Sequence, residues 1–261
     1  MSAFRFVFRA LLAFLLTVLT QTGGLIYLLT RPFVRRQRRW RRVLWYLGVY
    51  AVVNIVLVPP LARQFGRVPL PIFSEQTLRP LNYGFVLLNR HYVQPELHEL
   101  SLDVAREMDR RFPRTVTAYL DANFPFFDGF PLLPHLSHDD GRKLDLAFYY
   151  EYAPRSAPTL IGYGSYEEAR RDEKFITPIC YAEGSWWYGL IGRIYRKSLR
   201  RDLRLDTART STMIELLARD RRTGKLFLEP HLKTRWRLNY GKVRFQGCHA
   251  VRHDDHVHVQ L

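Results

Sequence analysis

Two uncharged stretches, Ala10 to Leu29 and Val43 to Ala62, constrain this chain more than any other feature of its sequence. A helix needs about 20 apolar residues to cross a hydrocarbon core of about 30 Å, and each stretch meets that length. Between them runs Arg31-Pro32-Phe33-Val34-Arg35-Arg36-Gln37-Arg38-Arg39-Trp40-Arg41-Arg42, which holds seven arginines and no acidic residue. Short loops this basic stay on the cytoplasmic side. The pattern predicts a transmembrane hairpin over residues 1–63, with spans at about 10–29 and 43–62 and a cytoplasmic loop at 31–42. In the order outside–in–outside, everything after Ala62 lies beyond the membrane. A cleaved signal peptide is the rival reading of the first stretch, and it leaves the second span unexplained.

The same segment accounts for most of the net charge. The chain carries +16, but residues 1–63 hold ten arginines and no Asp, Glu or Lys, so the remainder has 30 basic and 24 acidic residues, a net +6. The excess is a topology signal and an attraction to anionic lipid at the loop. It gives no support to nucleic-acid binding, and no nucleic-acid partner is expected.

Residues 64–110 read as a juxtamembrane linker and a helix, and residues 111–261 as one extracytoplasmic domain. Pro69 and Pro71 mark the exit from the membrane. Glu96 to Arg111 is an amphipathic helix ended before Pro113. Thr115 to Leu120 alternates as a strand, and Leu144 to Tyr152 reads as a buried strand with Asp145 near its start. Thr212-Met213-Ile214-Glu215 fits a capping box that opens a short helix, with Gly224 as its terminator. Lys225 to Leu228 and Val243 to Gln246 are further strands. The fold class expected is α+β, an antiparallel sheet with flanking helices on one side. Ser185-Trp186-Trp187-Tyr188-Gly189 is either a cleft wall or core, and Cys180 and Cys248 are either a disulfide or two buried thiols.

The chemistry concentrates at the carboxy terminus, His253-Asp254-Asp255-His256-Val257-His258-Val259-Gln260-Leu261. Val257, Val259 and Leu261 share one parity while His256, His258 and Gln260 share the other. In a strand this buries one face and aims two imidazoles the same way from the other. Imidazole is the commonest metal ligand and the usual base near neutral pH. Further ligands are available in Pro134-His135-Leu136-Ser137-His138-Asp139-Asp140-Gly141-Arg142-Lys143-Leu144-Asp145, where Gly141 permits a tight turn. His138, Asp145 and His258 would supply the three N/O ligands of a catalytic zinc site and leave one position open. A solvated histidine-rich tail is the plain alternative, and the alternating apolar face argues against it.

His138-x-x-Gly141-x-x-x-Asp145 resembles the HxxGxxxD signature of the LAS metallopeptidases, whose zinc-binding fold is shared with Hedgehog domains. His253 to Val259, with Lys225 to Lys233 upstream, is similar to the second motif of penicillin-insensitive murein endopeptidases in that group. The resemblance covers roughly residues 110–150 and 225–261. It implies zinc (Zn2+) on His138, Asp145 and His258 and His256 as the catalytic base. His253, Asp255, His135 and Arg114 are the candidate substrate or supporting residues, and Glu229 is an alternative base. Two positions depart from the family pattern: Lys143 stands where a small residue is common, and no ExxH occurs at the second motif. The expected function is a zinc peptidase of the bacterial inner membrane that cuts peptidoglycan amide bonds on the periplasmic side. The rival is a zinc-binding module of an envelope assembly that binds wall or a partner without hydrolysis.

Overall fold

The first uncharged stretch does not run straight. In the computed structural model, which describes residues 2–73, 77–151, 161–164, 166–173, 180, 182–184 and 204–261, helix α1 covers Ser2–Thr20 and α2 covers Gly23–Thr30. Between them Gln21 adopts φ 64°, in the left-handed region, and the chain turns back on itself. Close approach explains the glycines. A Cβ on Gly24 would fall 2.1 Å from the Ala13 carbonyl oxygen and 2.0 Å from the Thr17 hydroxyl. The span expected at 10–29 is therefore corrected: Ala3–Thr20 is the helix long and apolar enough to cross a membrane, with mean hydropathy 1.9. At about 12 Å, α2 is too short to do so.

The second membrane-length helix is Arg39–Gln64, mean hydropathy 1.8. It comprises α3 (Arg39–Val52), a π-helical segment (Val53–Leu57) and α4 (Val58–Gln64). Pro59 and Pro60 lack N–H donors and crowd the preceding carbonyls, and the wide turn before them accommodates this. Large apolar side chains of both helices, among them Phe4, Phe8, Leu15, Leu47 and Ile55, are exposed. The helices meet the rest of the chain through a polar node. The Asn89 amide donates to Asn54 Oδ1 at 2.6 Å, Thr22 Oγ1 at 3.0 Å and the Thr20 carbonyl at 3.1 Å.

Beyond the helices lie β1 (Val68–Pro69), β2 (Leu78–Pro80), α5 (Gly84–Leu87), β3 (Tyr92–Val93) and α6 (Pro95–Arg111). They are followed by β4 (Thr117–Tyr119), β5 (Lys143–Ala147), α7 (Thr207–Arg219), β6 (Lys225–Phe227), α8 (Pro230–Arg235), β7 (Val243–Arg244) and β8 (His256–Gln260). Six strands form one sheet in the order β2-β4-β5-β8-β6-β7, and β1 pairs with β3 separately. The sheet is mixed rather than antiparallel throughout. Its centre, β4-β5-β8-β6, is antiparallel, while the edge pairs β2/β4 and β6/β7 are parallel. Those edges come from strands of three and two residues, joined to their partners by long connections instead of hairpins.

One face of β5 and β8 is core. Leu144, Leu146, Val257 and Val259 cluster with Leu97, Leu100, Val104 and Met108 of α6 and Met213, Ile214 and Leu217 of α7. Each such fully buried side chain contributes about 1.5–3 kcal/mol relative to exposure. Helix α7 starts five residues before the expected capping box because Asp206 is the N-cap, accepting from the Arg209 N–H at 2.9 Å. It ends at Arg219, and Gly224 instead leads into β6, donating its N–H to the Gln260 carbonyl. Cys180 and Cys248 are joined as a disulfide. Trp186, Trp187 and Tyr188 lie outside the described residues.

Candidate metal centre

The register of β5 on β8 builds the centre. Asp145 stands opposite His258, and Ala147 stands opposite His256, where its small side chain leaves room for a ring. On the other side of His258, Phe227 of β6 is its Cα partner, with the two rings 5.3 Å apart. The second contribution comes from the connection between β4 and β5. Gly141, at φ 77°, turns this segment into β5, and Arg67 and Gln94 press where a Cβ would sit. His135 and His138 lie on it, both buried.

Three lone-pair atoms converge. Asp145 Oδ1 lies 2.9 Å from His258 Nδ1 and 3.2 Å from His138 Nε2, and the two nitrogens are 3.1 Å apart. Ligands bonded at 2.0–2.1 Å around a tetrahedral ion sit roughly 3.3 Å from one another, close to these edges. His138 Nδ1 donates to the Ala122 carbonyl at 2.8 Å, which turns Nε2 toward the carboxylate. Asp145 Oδ2 accepts the Tyr163 hydroxyl at 2.8 Å, which leaves Oδ1 free for the cluster. His135 Nδ1 lies between two carboxylates, 3.0 Å from Asp121 Oδ2 and 3.4 Å from Asp145 Oδ2. His135, His138 and Asp145 form a buried group whose ligand atoms all lie within 4.8 Å, a set able to hold a metal ion.

Next to this group His256 is held by one nitrogen. Its Nδ1 meets Asp255 Oδ1, and Asp255 Oδ2 in turn accepts the Gly164 N–H. Its Nε2 points inward, 3.7 Å from Asp145 Oδ2. The Nε2 atoms of His253, His256 and His258 are all buried with no hydrogen-bond partner among the described residues. Three orphaned imidazole nitrogens in one cluster are costly unless an ion, a water or a substrate group satisfies them. Apart from these nitrogens, His138 Nε2, Asp145 Oδ1 and His258 Nδ1 form a donor set that fits a metal ion.

Electrostatics separates the rings. Burial opposes charge on every group, yet the His138 and His256 charges hold Asp145 well below the usual carboxylate range. Against the same burial, Asp145 raises His138 above its ordinary value. Asp145 and Asp255 together push His256 up to about 9, whereas burial prevails at His258 and pushes it down to about 4. His253 falls well below the usual histidine value, through burial and the neighbouring His256 charge.

Two cavities of about 250 Å³ each flank the cluster and share Pro134, His135 and Val251 in their walls. One is lined by Arg90, Asp121, Tyr163, Asp255 and His256, the other by His138, Asp145, His249, His253 and His258. Arg114 takes no part: it is exposed in the turn after α6, at φ 69°, and lines neither cavity. Glu229 lies behind His253, whose N–H it accepts at 3.3 Å, and also lines neither. Sequence reasoning missed Asp121 and Tyr163. Both are ordinary in sequence and reach the cluster only through the fold, since the Asp121 carbonyl pairs with the Asp145 N–H across β4 and β5. No protein-family profile matches the chain, and no curated protein matches it.

Proposed function

We propose that this protein is a membrane-anchored zinc-dependent peptidase that hydrolyses amide bonds in peptidoglycan peptides. The observation that carries the reading is the convergence of His138 Nε2, Asp145 Oδ1 and His258 Nδ1 on one point, with His256 beside them and anchored from behind by Asp255. Two imidazoles and one carboxylate are a zinc-type donor set with room for a fourth ligand. When bound, the ion supplies a Lewis acid for a carbonyl and lowers the pKa of a water to about 7. His138, Asp145 and His258 hold it, and Tyr163 and the Ala122 carbonyl orient two of those ligands. A cation on Asp145 would offset the charge that raises His256, leaving its Nε2 able to take up a proton as water attacks the amide carbon and to return it to the departing nitrogen. The resemblance of the two motifs to murein endopeptidases supplies the substrate class.

The helix arrangement supports a reading of location. Gln21, at the end of α1, accepts from the Phe126 N–H, and Asn54, in the later half of the second long helix, receives the Asn89 amide. The start of α1 and the loop over Arg31 to Arg42 thus share the far end. With Arg5 and Arg9 there as well, that end is the cytoplasmic one. This favours an amino terminus inside over the outside–in–outside order expected from the sequence, with the metal domain on the periplasmic side.

The test uses the full chain in detergent, incubated with purified peptidoglycan fragments. Wild type is expected to release new amino termini, and His256→Ala to slow this by roughly 10²–10⁴ with zinc content unchanged. Stoichiometric zinc without cleavage would assign the non-hydrolytic binding module instead. A wild-type chain without metal would remove the reading altogether.

A further inference from the structure

The loop that brings His135 and His138 to the centre is fastened from outside the sheet. Its first limb leaves β4 through Phe124, and its last limb returns past Asp139 to Gly141. Arg67, three residues beyond α4, is 1% exposed and reaches both limbs. Nη1 donates to the Phe124 carbonyl, and Nη2 donates to Asp128 and, at 3.2 Å, to the Asp139 carbonyl. Its side chain also fills the space beside Gly141. Two further grips come from the helices. Gln21, in the reversal between α1 and α2, accepts the Phe126 N–H on Oε1 at 2.9 Å. Phe65, at the end of α4, packs edge-on against Phe126 at 5.2 Å and Phe127 at 5.5 Å.

We infer that the membrane hairpin is a structural half of the metal centre, with Gln21, Phe65 and Arg67 clamping the loop 124–141 that presents His135 and His138. The physical case is one of supply. Asp145 and His258 are fixed by the strand ladder, but His138 lies on a connection with no strand of its own between β4 and β5. Its ring is held at Nδ1 by the Ala122 carbonyl, and its backbone is held by what surrounds the loop. The guanidinium ties two carbonyls that are 15 residues apart, which a lysine's single ammonium cannot do with the same fork. Arg67 is thus a positioning residue acting through the loop. The anchor contributes to the site's geometry as well as to its address, and a domain cut free at residue 64 would keep Arg67 and Phe65 but lose the Gln21 grip.

The functional consequence rests on the metal reading above, so the test separates the two. Full-length wild type, Arg67→Lys and Gln21→Asn are compared in the same detergent. Asparagine tolerates the left-handed backbone at position 21 while being too short to reach Phe126. Hydrogen exchange is followed by peptide, and zinc affinity by competition with a chelator. Both variants are expected to exchange faster over 124–141 with β5 and β8 unchanged, and Arg67→Lys to bind zinc roughly tenfold to a hundredfold more weakly. Exchange over 124–141 equal to wild type in both variants would overturn the clamp. If the wild-type chain binds no zinc, the proposed function falls, and the exchange pattern alone still decides the clamp.

Discussion

On one face of the β5–β8 ladder stand Leu144, Leu146, Val257 and Val259, packed against α6 and α7; on the other stand Asp145, Ala147, His256 and His258. Both faces are buried, and neither works alone. The apolar side fixes the register, because a slip of one residue would turn every side chain to the wrong face. That register is what sets Asp145 Oδ1 against His258 Nδ1. The polar side carries chemistry at a cost in buried charge, which the sheet's other face offsets.

Breaking the polar face should give the largest loss. Asp145→Ala removes the carboxylate that touches both His138 and His258 and lies 3.7 Å from His256 Nε2, and it is expected to abolish stoichiometric metal and cleavage while the chain stays folded. Elemental analysis beside circular dichroism checks both halves. The opposite face should fail the opposite way. Leu146→Ala is expected to lower unfolding stability by about 2–5 kcal/mol, with metal per folded chain unchanged. Chemical denaturation and metal analysis of the same sample would show whether the two faces separate as described.

A finer division falls within the polar face. His258 sits on the ladder, while His135 sits on the loop and already has Asp121. His258→Ala is expected to bind metal much more weakly, filling only with zinc in excess, and His135→Ala to keep it at one ion per chain. The reverse order would move the third ligand to the loop, giving the group His135, His138 and Asp145.

The smallest effect contrasts two buried imidazoles. His256, among carboxylates, is raised to about 9, but His91 has only burial acting on it and is pushed down to about 3. Below the ordinary histidine value of 6.5 the unfolded chain takes up a proton that folded His91 refuses. Its share of stability is complete above about 6.5 and is lost progressively as pH falls toward about 3. His91→Phe should flatten that part of the acid limb in thermal melts taken across the window. An unchanged limb would remove His91 as its source.

What the sequence made legible was the part governed by short periods. The alternation in His256 to Gln260 gave β8 and its two faces, and Gly141 stands at a turn that needs positive φ. The loop's His138 and the strand's Asp145 were legible as one spacing. Asp121, Tyr163 and Arg67 were not, because each reaches the site across tens of residues through contacts that no local pattern records. The reversal at Gln21 was hidden for another reason: an apolar run reads alike whether it continues or doubles back. The parallel edges of the sheet were hidden because strands of two or three residues leave too short a signal.

X-ray absorption at the zinc edge reads the proposed ligand set directly. On the full chain in detergent, the spectrum should show two imidazoles and one carboxylate oxygen around zinc, falling to one imidazole in His258→Ala. A wild-type spectrum without imidazole scattering, or one that His258→Ala leaves unchanged, would contradict the assignment of His138, Asp145 and His258.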